Sequence, residues 1–273
     1  MAFSIRTNVA SLNAQKNLFN NTAQLEKSMS SLSSGMRITK ASDDAAGLGV
    51  SVSLEAQIRS YQQAGRNAQD GLSMVQTAEG AMNEVSNILV RMREIGVESA
   101  SDALTTSQRE FLDLEVVELK GELDRLSNQI SFNEQNLLDG SAGTLTFQVG
   151  AATTDEIDVD FTNIKVSSTD LALTTDVKSS ANAQTAIGEI DTALQDVSEF
   201  RATLGAKANR FTTAVNTINN AVESLSAANS RVRDADVAEE SARLARAQVL
   251  QQAAVSVTAQ ANQQPQLALK LLG

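Results

Sequence analysis

The sequence predicts a mainly α protein: a long antiparallel helical bundle or coiled coil formed by both chain ends, with a small β-hairpin insertion. Three observations lead there. First, steps of three and four residues from Ile187 pick out Ile187, Ile190, Leu194, Val197, Arg201, Leu204, Ala208, Phe211, Val215, Ile218, Val222, Leu225, Asn229 and Val232, and only Arg201 and Asn229 are not apolar. A heptad seam sustained that far marks a helix packed against other long helices; at ~1.5 Å per residue it spans about 70 Å. Second, weaker seams of the same period occupy both chain ends. Third, between residues 144 and 161 the apolar period drops to two, the period of a half-buried strand.

Composition agrees. The chain has 273 residues, 3% aromatic, with no Trp and one Pro, which suits long helices. Its 22 basic and 33 acidic residues give a net charge of -11, which argues against nucleic acid or an anionic membrane as a partner. Cys and His are absent, which excludes a disulfide scaffold, thiol chemistry and His-based metal or acid–base sites. The first residues, MAFSIRTNVASLNAQKNLF, lack the continuous apolar run of a cleavable secretory signal. No stretch approaches the ~20 apolar residues of a membrane span.

Taken in order, residues 1–33 carry a seam at Ile5, Val9, Leu12, Lys16, Phe19 and Ala23 that shifts to Leu18, Leu25, Met29 and Leu32. SSGMRITKASD (33–43) breaks it: Gly35 can leave the helix, Ser42 can cap the next, and Asp43 and Asp44 fall in the first turn. The second seam runs from Leu54 through Ile58, Tyr61, Gly65, Ala68, Leu72, Val75, Glu79, Met82 and Ser86 to Leu89, and Gly65, Gly71 and Gly80 are expected to admit a close helix neighbour. GVESASDALTTS (96–107) reads as a polar connection. Leu112, Val116, Leu119, Leu123, Leu126 and Ile130 mark a third helix folded back on the second.

FNEQNLLDGSAG (132–143) ends the helical pattern. Leu145, Phe147 and Val149, then Ile157, Val159 and Phe161, alternate with polar residues across a turn at Gly150 and read as a β-hairpin, with Ile164 and Val166 as candidates for a short third strand. Asp155, Glu156, Asp158 and Asp160 lack the Gly and distal Glu of a calcium loop and read as a solvated face, so no metal is expected. Residues 167–183 read as a loop. SRVRDADVAEE (230–240) breaks the organising seam as 33–43 breaks the first, and a final Ala-rich seam follows at Leu250, Ala254, Val257, Ala261, Gln264, Ala268 and Leu271, with a kink expected at Pro265.

The terminal seams have few large side chains, and alone they offset little of the entropy of ordering. They are therefore expected to order when packed against copies of the chain. Self-complementary ends without a nucleophile–base pair, metal cluster or phosphate loop indicate a polymer subunit rather than an enzyme, with no cofactor. Repeated contacts that do not close give an open helical filament.

Longer motifs carry a family resemblance. SLSSGMRITKASDDAAGLGVSVSL (31–54) and NAQDGLSMVQTAEGAMNEV (67–85) resemble the N-terminal signature of bacterial flagellin, and RATLGAKANRF (201–211), SRVRDADVAEESARL (230–244) and AQANQQPQLALKLL (259–272) resemble its C-terminal signature. The resemblance covers residues 1–140 and 185–273. It implies a structural subunit of the motility filament in a minimal two-domain form: an inner terminal-helix domain of residues 1–43 and 235–273, and an outer helical bundle of residues 44–234 with a hairpin region at 141–175. It further implies export unfolded through the flagellar type III channel, without a cleavable signal, to an extracellular filament. The implied partners are the chain itself, cap and hook-junction proteins, and an export chaperone at the C-terminal region. The related hook–filament junction protein is the alternative identity.

Two sets of site residues follow. Self-assembly is expected of Ile5, Val9, Leu12, Phe19, Leu25, Leu32, Leu250, Ala254, Val257, Ala261 and Leu271. VRMREIGVE (90–98) resembles the patch read by the vertebrate innate-immune flagellin receptor, with Arg91, Ile95 and Glu115 at its contact positions and Ile95 where the family usually has Leu; the same residues also suit packing between subunits. Thr258 stands where the family has a bulky apolar residue, and its hydroxyl is expected to bond the carbonyl of residue 254.

Overall fold

The fold is that of a computed structural model describing the backbone of residues 7–272 and side chains through residue 263. Ile5 and the side chain of Leu271 lie outside the described residues. The elements are α1 (Val9–Ser34), α2 (Ala45–Ser99), α3 (Thr106–Gln129), β1 (Ser131–Phe132), β2 (Gln135–Asn136), β3 (Thr144–Gln148), β4 (Glu156–Asp160), α4 (Ser180–Arg233) and α5 (Val237–Leu272). The chain divides into two compact units, residues 1–56 with 224–273, and residues 57–223.

In the first unit α1 and α5 pair antiparallel. At one end Asn8 Nδ2 donates to the Ala261 carbonyl (2.8 Å) and Ser11 Oγ to Asn262 Oδ1 (2.7 Å). At the other the two helix breaks bond each other: Arg37 N–H reaches the Arg233 carbonyl (2.7 Å) and Ala235 N–H the Gly35 carbonyl (2.9 Å). Gly35 ends α1 at φ 69°, a left-handed conformation that suits glycine. Ser42 was the expected cap of α2, but α2 starts at Ala45 and Asp44 is the capping residue, accepting the Gly47 N–H at 2.8 Å. Asp43 turns back instead, accepting the N–H groups of Thr39 and Lys40 and pairing with Lys27 at 2.8 Å. Asp236 caps α5 through the N–H of Ala238 at 2.8 Å, and α5 runs as one helix past Pro265. Ser51 Oγ donates to Asn229 Oδ1 (2.7 Å), and Glu55 pairs with Arg233.

The second unit holds the large core. Along α4 the seam positions alternate between buried (Ile190, Val197, Leu204, Phe211, Ile218) and half-buried (Leu194, Arg201, Ala208, Val215), which is the heptad written in burial. From Met74 onward the buried stripe of α2 widens to Val75, Ala78, Met82, Val85, Leu89, Met92 and Ile95. That width fits a helix with neighbours on two sides. Arg93 pairs with Asp191 of α4 (2.6 Å) and Arg91 with Glu115 of α3 (2.8 Å), so both neighbours run antiparallel to α2.

The glycines divide by position. A Cβ on Gly71 would meet the Phe211 ring at 2.7 Å, and one on Gly65 would meet Ile218 at 3.4 Å, so both sit against α4 as expected. Gly80 faces open space and admits no neighbour. α2 runs four residues into the stretch read as a connection, where the missing Cβ of Gly96 leaves room for Ile187 and Ser99 Oγ donates to the Val177 carbonyl. A capping box at Thr105 and Gln108 then starts α3.

β3 and β4 pair antiparallel with Leu145 opposite Val159 and Phe147 opposite Ile157. Phe147 meets Phe211 edge-on, centroids 5.5 Å apart. Ile164 and Val166 do not form a third strand of this sheet: they are buried, and residue 165 makes a single bridge to Asp139. A second, two-residue hairpin, β1–β2, was not expected. Asn133 and Glu134 turn it with φ of 49° and 67°, the left-handed pair of a type I′ turn. The 167–179 loop is held by carboxylates: Asp124 accepts from Ser168 N–H, Glu189 from Thr175 N–H, and buried Asp113 from Val177 N–H.

Candidate functional site

In the first unit, the face of α1 turned toward α5 runs through Ser11, Ala14, Leu18, Leu25, Ser28 and Leu32, by steps that are multiples of three and four. On α5 the matching face is Leu244, Ala247, Gln251, Ala254, Thr258 and Ala261. Both are dominated by small or polar residues. The larger apolar side chains point elsewhere: Val9, Leu12 and Phe19 lie on the other side of α1 and are 60%, 56% and 75% exposed. Leu250 and Val257, seven residues apart on one flank of α5, are also exposed, as are Val249 and Val255.

The residues expected to carry self-assembly thus separate. Val9, Leu12, Phe19, Leu250 and Val257 are exposed in the single chain. Leu25, Leu32 and Ala254 are half-buried and Ala261 is buried, between α1 and α5. Thr258 Oγ1 donates to the Ala254 carbonyl at 2.7 Å, as its position predicts. Its hydroxyl is satisfied within its own helix, and its methyl group joins the seam.

In the second unit Arg91 and Glu115 come together across α2 and α3. Arg91 Nε donates to Glu115 Oε1 at 2.9 Å and Nη1 to Glu94 Oε2 at 3.0 Å. Hydrogen bonds donated to Glu115 and then to Glu94 push the Arg91 guanidinium pKa further above its ordinary value, so the group is a fixed positive charge. Ile95 does not join them. It is fully buried in the stripe with Met92 and Ser99, on the inward side of α2, so no external partner can touch it; it shapes the face from beneath. Also exposed are Val90 and Val97 of α2 and Phe111, Leu114 and Val117 of α3. These were missed because they fall outside the seams. The signal was present in Leu114 and Val117, apolar positions beside the Leu112–Val116–Leu119 seam that the core does not use.

Of the four acidic hairpin residues, Asp155 accepts the Ala152 N–H in the turn, and Asp160 accepts the Thr162 N–H and, across the strands, the Thr144 hydroxyl. Among the described residues no helix is long and apolar enough to cross a membrane.

Comparison with known proteins identifies the family. A family model described as the bacterial flagellin N-terminal helical region matches residues 5–143, and one described as the C-terminal helical region matches residues 187–272. The chain is 44% identical over 269 residues to a flagellin from Halalkalibacterium halodurans, covering 98% of this chain and 99% of that one. Among solved structures, Bacillus cereus flagellin aligns with a TM-score of 0.51 and 31% identity, covering 56% of this chain and 88% of that chain. A Vibrio parahaemolyticus chain described as flagellar hook-associated aligns with a TM-score of 0.59 over 70% of this chain and 100% of that one, at 15% identity, a likeness of fold alone. The hook–filament junction alternative is therefore no better supported. With both terminal regions matched and a flagellin aligned along nearly its whole length, the chain belongs to the bacterial flagellin family, the structural subunits of the flagellar filament.

Proposed function

We propose that the helix pair of α1 and α5 is the part of this subunit that enters the inner wall of the filament, with residues 1–43 and 235–273 inside and residues 44–234 outside. The observation that carries the reading is the exposure of Val9, Leu12, Phe19, Leu250 and Val257 on a pair whose own seam is built from small residues. Two different apolar stripes on one unit favour a head-to-tail contact between copies, and such contacts propagate instead of closing. In this reading the terminal segments order on assembly, the chain travels unfolded through the export channel, and a chaperone at the C-terminal region keeps it from pairing early. Cap and hook-junction proteins receive it at the growing end. Deleting residues 250–273 tests it. The expected result is loss of seeded polymerisation with the second unit still cooperatively folded; polymerisation at the parent's rate sinks the assignment.

A second reading concerns the Arg91 face. A paired, exposed arginine on helices that also expose Val90, Val97 and Leu114 suits a protein partner, because charged pairs set orientation while exposed apolar groups supply buried area. The innate-immune flagellin receptor is such a partner. Arg91→Asp sets two carboxylates against Glu115 and is expected to reduce receptor signalling by purified monomer at least tenfold; signalling equal to the parent removes the reading.

A further inference from the structure

The seam between α1 and α5 contains one group that opposes its closure. Ser28 is fully buried, and among the described residues its Oγ has no hydrogen-bond partner. Several other hydroxyls of the first unit are satisfied. Ser11 reaches Asn262, and Thr22, Ser34 and Thr258 return to carbonyls of their own helices at 3.0, 3.3 and 2.7 Å. Ser28 sits mid-helix, where such a return bond is the usual outcome. A hydroxyl taken from water without a replacement loses its hydration each time the helices pair. Few fully buried residues stand near it to offset this loss: its neighbours along the α1 face are buried Ser31 and half-buried Leu25 and Leu32.

We propose that Ser28 is a brake on the pairing of α1 with α5 in the single chain. The paired form is the one that displays Leu12 and Phe19 on its outer side, so a chain that pairs early carries sticky surface before a growing end is there to receive it. The buried hydroxyl keeps that form scarce. Burial of the outer stripes by neighbouring copies then supplies the missing stabilisation, so pairing becomes favourable where assembly occurs. The consequence for assembly rests on the filament-core reading above; the effect on pairing does not.

The test compares Ser28→Ala with Ser30→Ala in the full chain. Ser30 is exposed on the same turn, so both substitutions gain the same helix propensity and their difference isolates the buried hydroxyl. Hydrogen exchange on the monomer should slow roughly tenfold across α1 and α5 in S28A relative to S30A, the range expected for removing one unsatisfied buried hydroxyl. S28A should also polymerise without seeds after a shorter lag. Exchange in S28A equal to or faster than in S30A overturns the brake. If the parent and both variants all fail to elongate on seeds, the filament-core reading falls, while the exchange comparison still decides the role of Ser28.

Discussion

The two units use the same helices for opposite ends. In residues 57–223 the seams close on Phe161, Phe211, Met82, Leu89, Met92, Leu123, Ile190 and Leu204, each less than 2% exposed. In the unit of residues 1–56 and 224–273 the buried set among the described residues is Ser11, Ala14, Ser28, Ser31, Ile38, Ser51, Ala247 and Ala261. A fully buried Leu or Phe is worth about 1.5–3 kcal/mol and an alanine far less. One unit therefore holds its stability within the chain, while the other leaves its larger apolar groups outside. Heptad spacing alone does not tell these apart; the size of the residue at each step does.

The largest test is a truncation in the core. Phe211→Ala removes a ring packed on Phe147 and Gly71 and is expected to destabilise the second unit by about 3–5 kcal/mol, read as a lowered midpoint in chemical denaturation followed by circular dichroism. Leu18→Ala in α1 should leave that midpoint where it was; a comparable shift would mean the two units share one core. Next come the glycines. Gly71→Ala drives a methyl group into the Phe211 ring and should cost about 1–3 kcal/mol. Gly80→Ala, facing open space, should instead stabilise by about 0.5–1 kcal/mol. Equal effects at both would refute the close approach at Gly71.

The smallest effect belongs to the exposed ion pair of the first unit. Lys27, then the N–H of Lys40, hold the Asp43 carboxyl down from 3.8 to about 2. A depressed carboxylate contributes stability above its unfolded pKa, and the contribution fades as pH falls from 3.8 toward about 2. Exchange protection around Thr39 and Lys40 should weaken over that window in the parent and stay flat in Asp43→Asn. A parent profile as flat as the variant's would show that the pair holds nothing.

Much of this was legible beforehand. The α4 seam from Ile187 to Val232 contains no exposed residue, because a heptad with large residues specifies its own face. The hairpin at 144–160 was readable for the same reason, its alternation being unbroken on both strands. The misses lie where one residue type serves several geometries. Ser42 and Asp44 both make good helix caps, and the chain uses the second. The β1–β2 turn rests on Asn133 and Glu134 in left-handed backbone, and only Asn advertises that. Ile95 looked like a surface contact because it stands four residues from Arg91, close to it around the helix, yet it falls just inside the edge of the buried stripe with Met92 and Ser99. Val90 and Val117 were overlooked because a seam search discards apolar residues that do not fit the period.

The hydrogen bonds joining Asn8 to Ala261 and Gly35 to Ala235 link residues separated by nearly the whole chain. A polypeptide made in order from its beginning has no mate for α1 until its last stretch has been delivered. Contacts that distant in sequence form late. The second unit can fold as soon as residue 223 has arrived; the contacts of Asn8 and Ser11 wait for residues 261 and 262. Arrival of α5 therefore sets the earliest moment at which α1 can pair, a timing written into the order of the sequence.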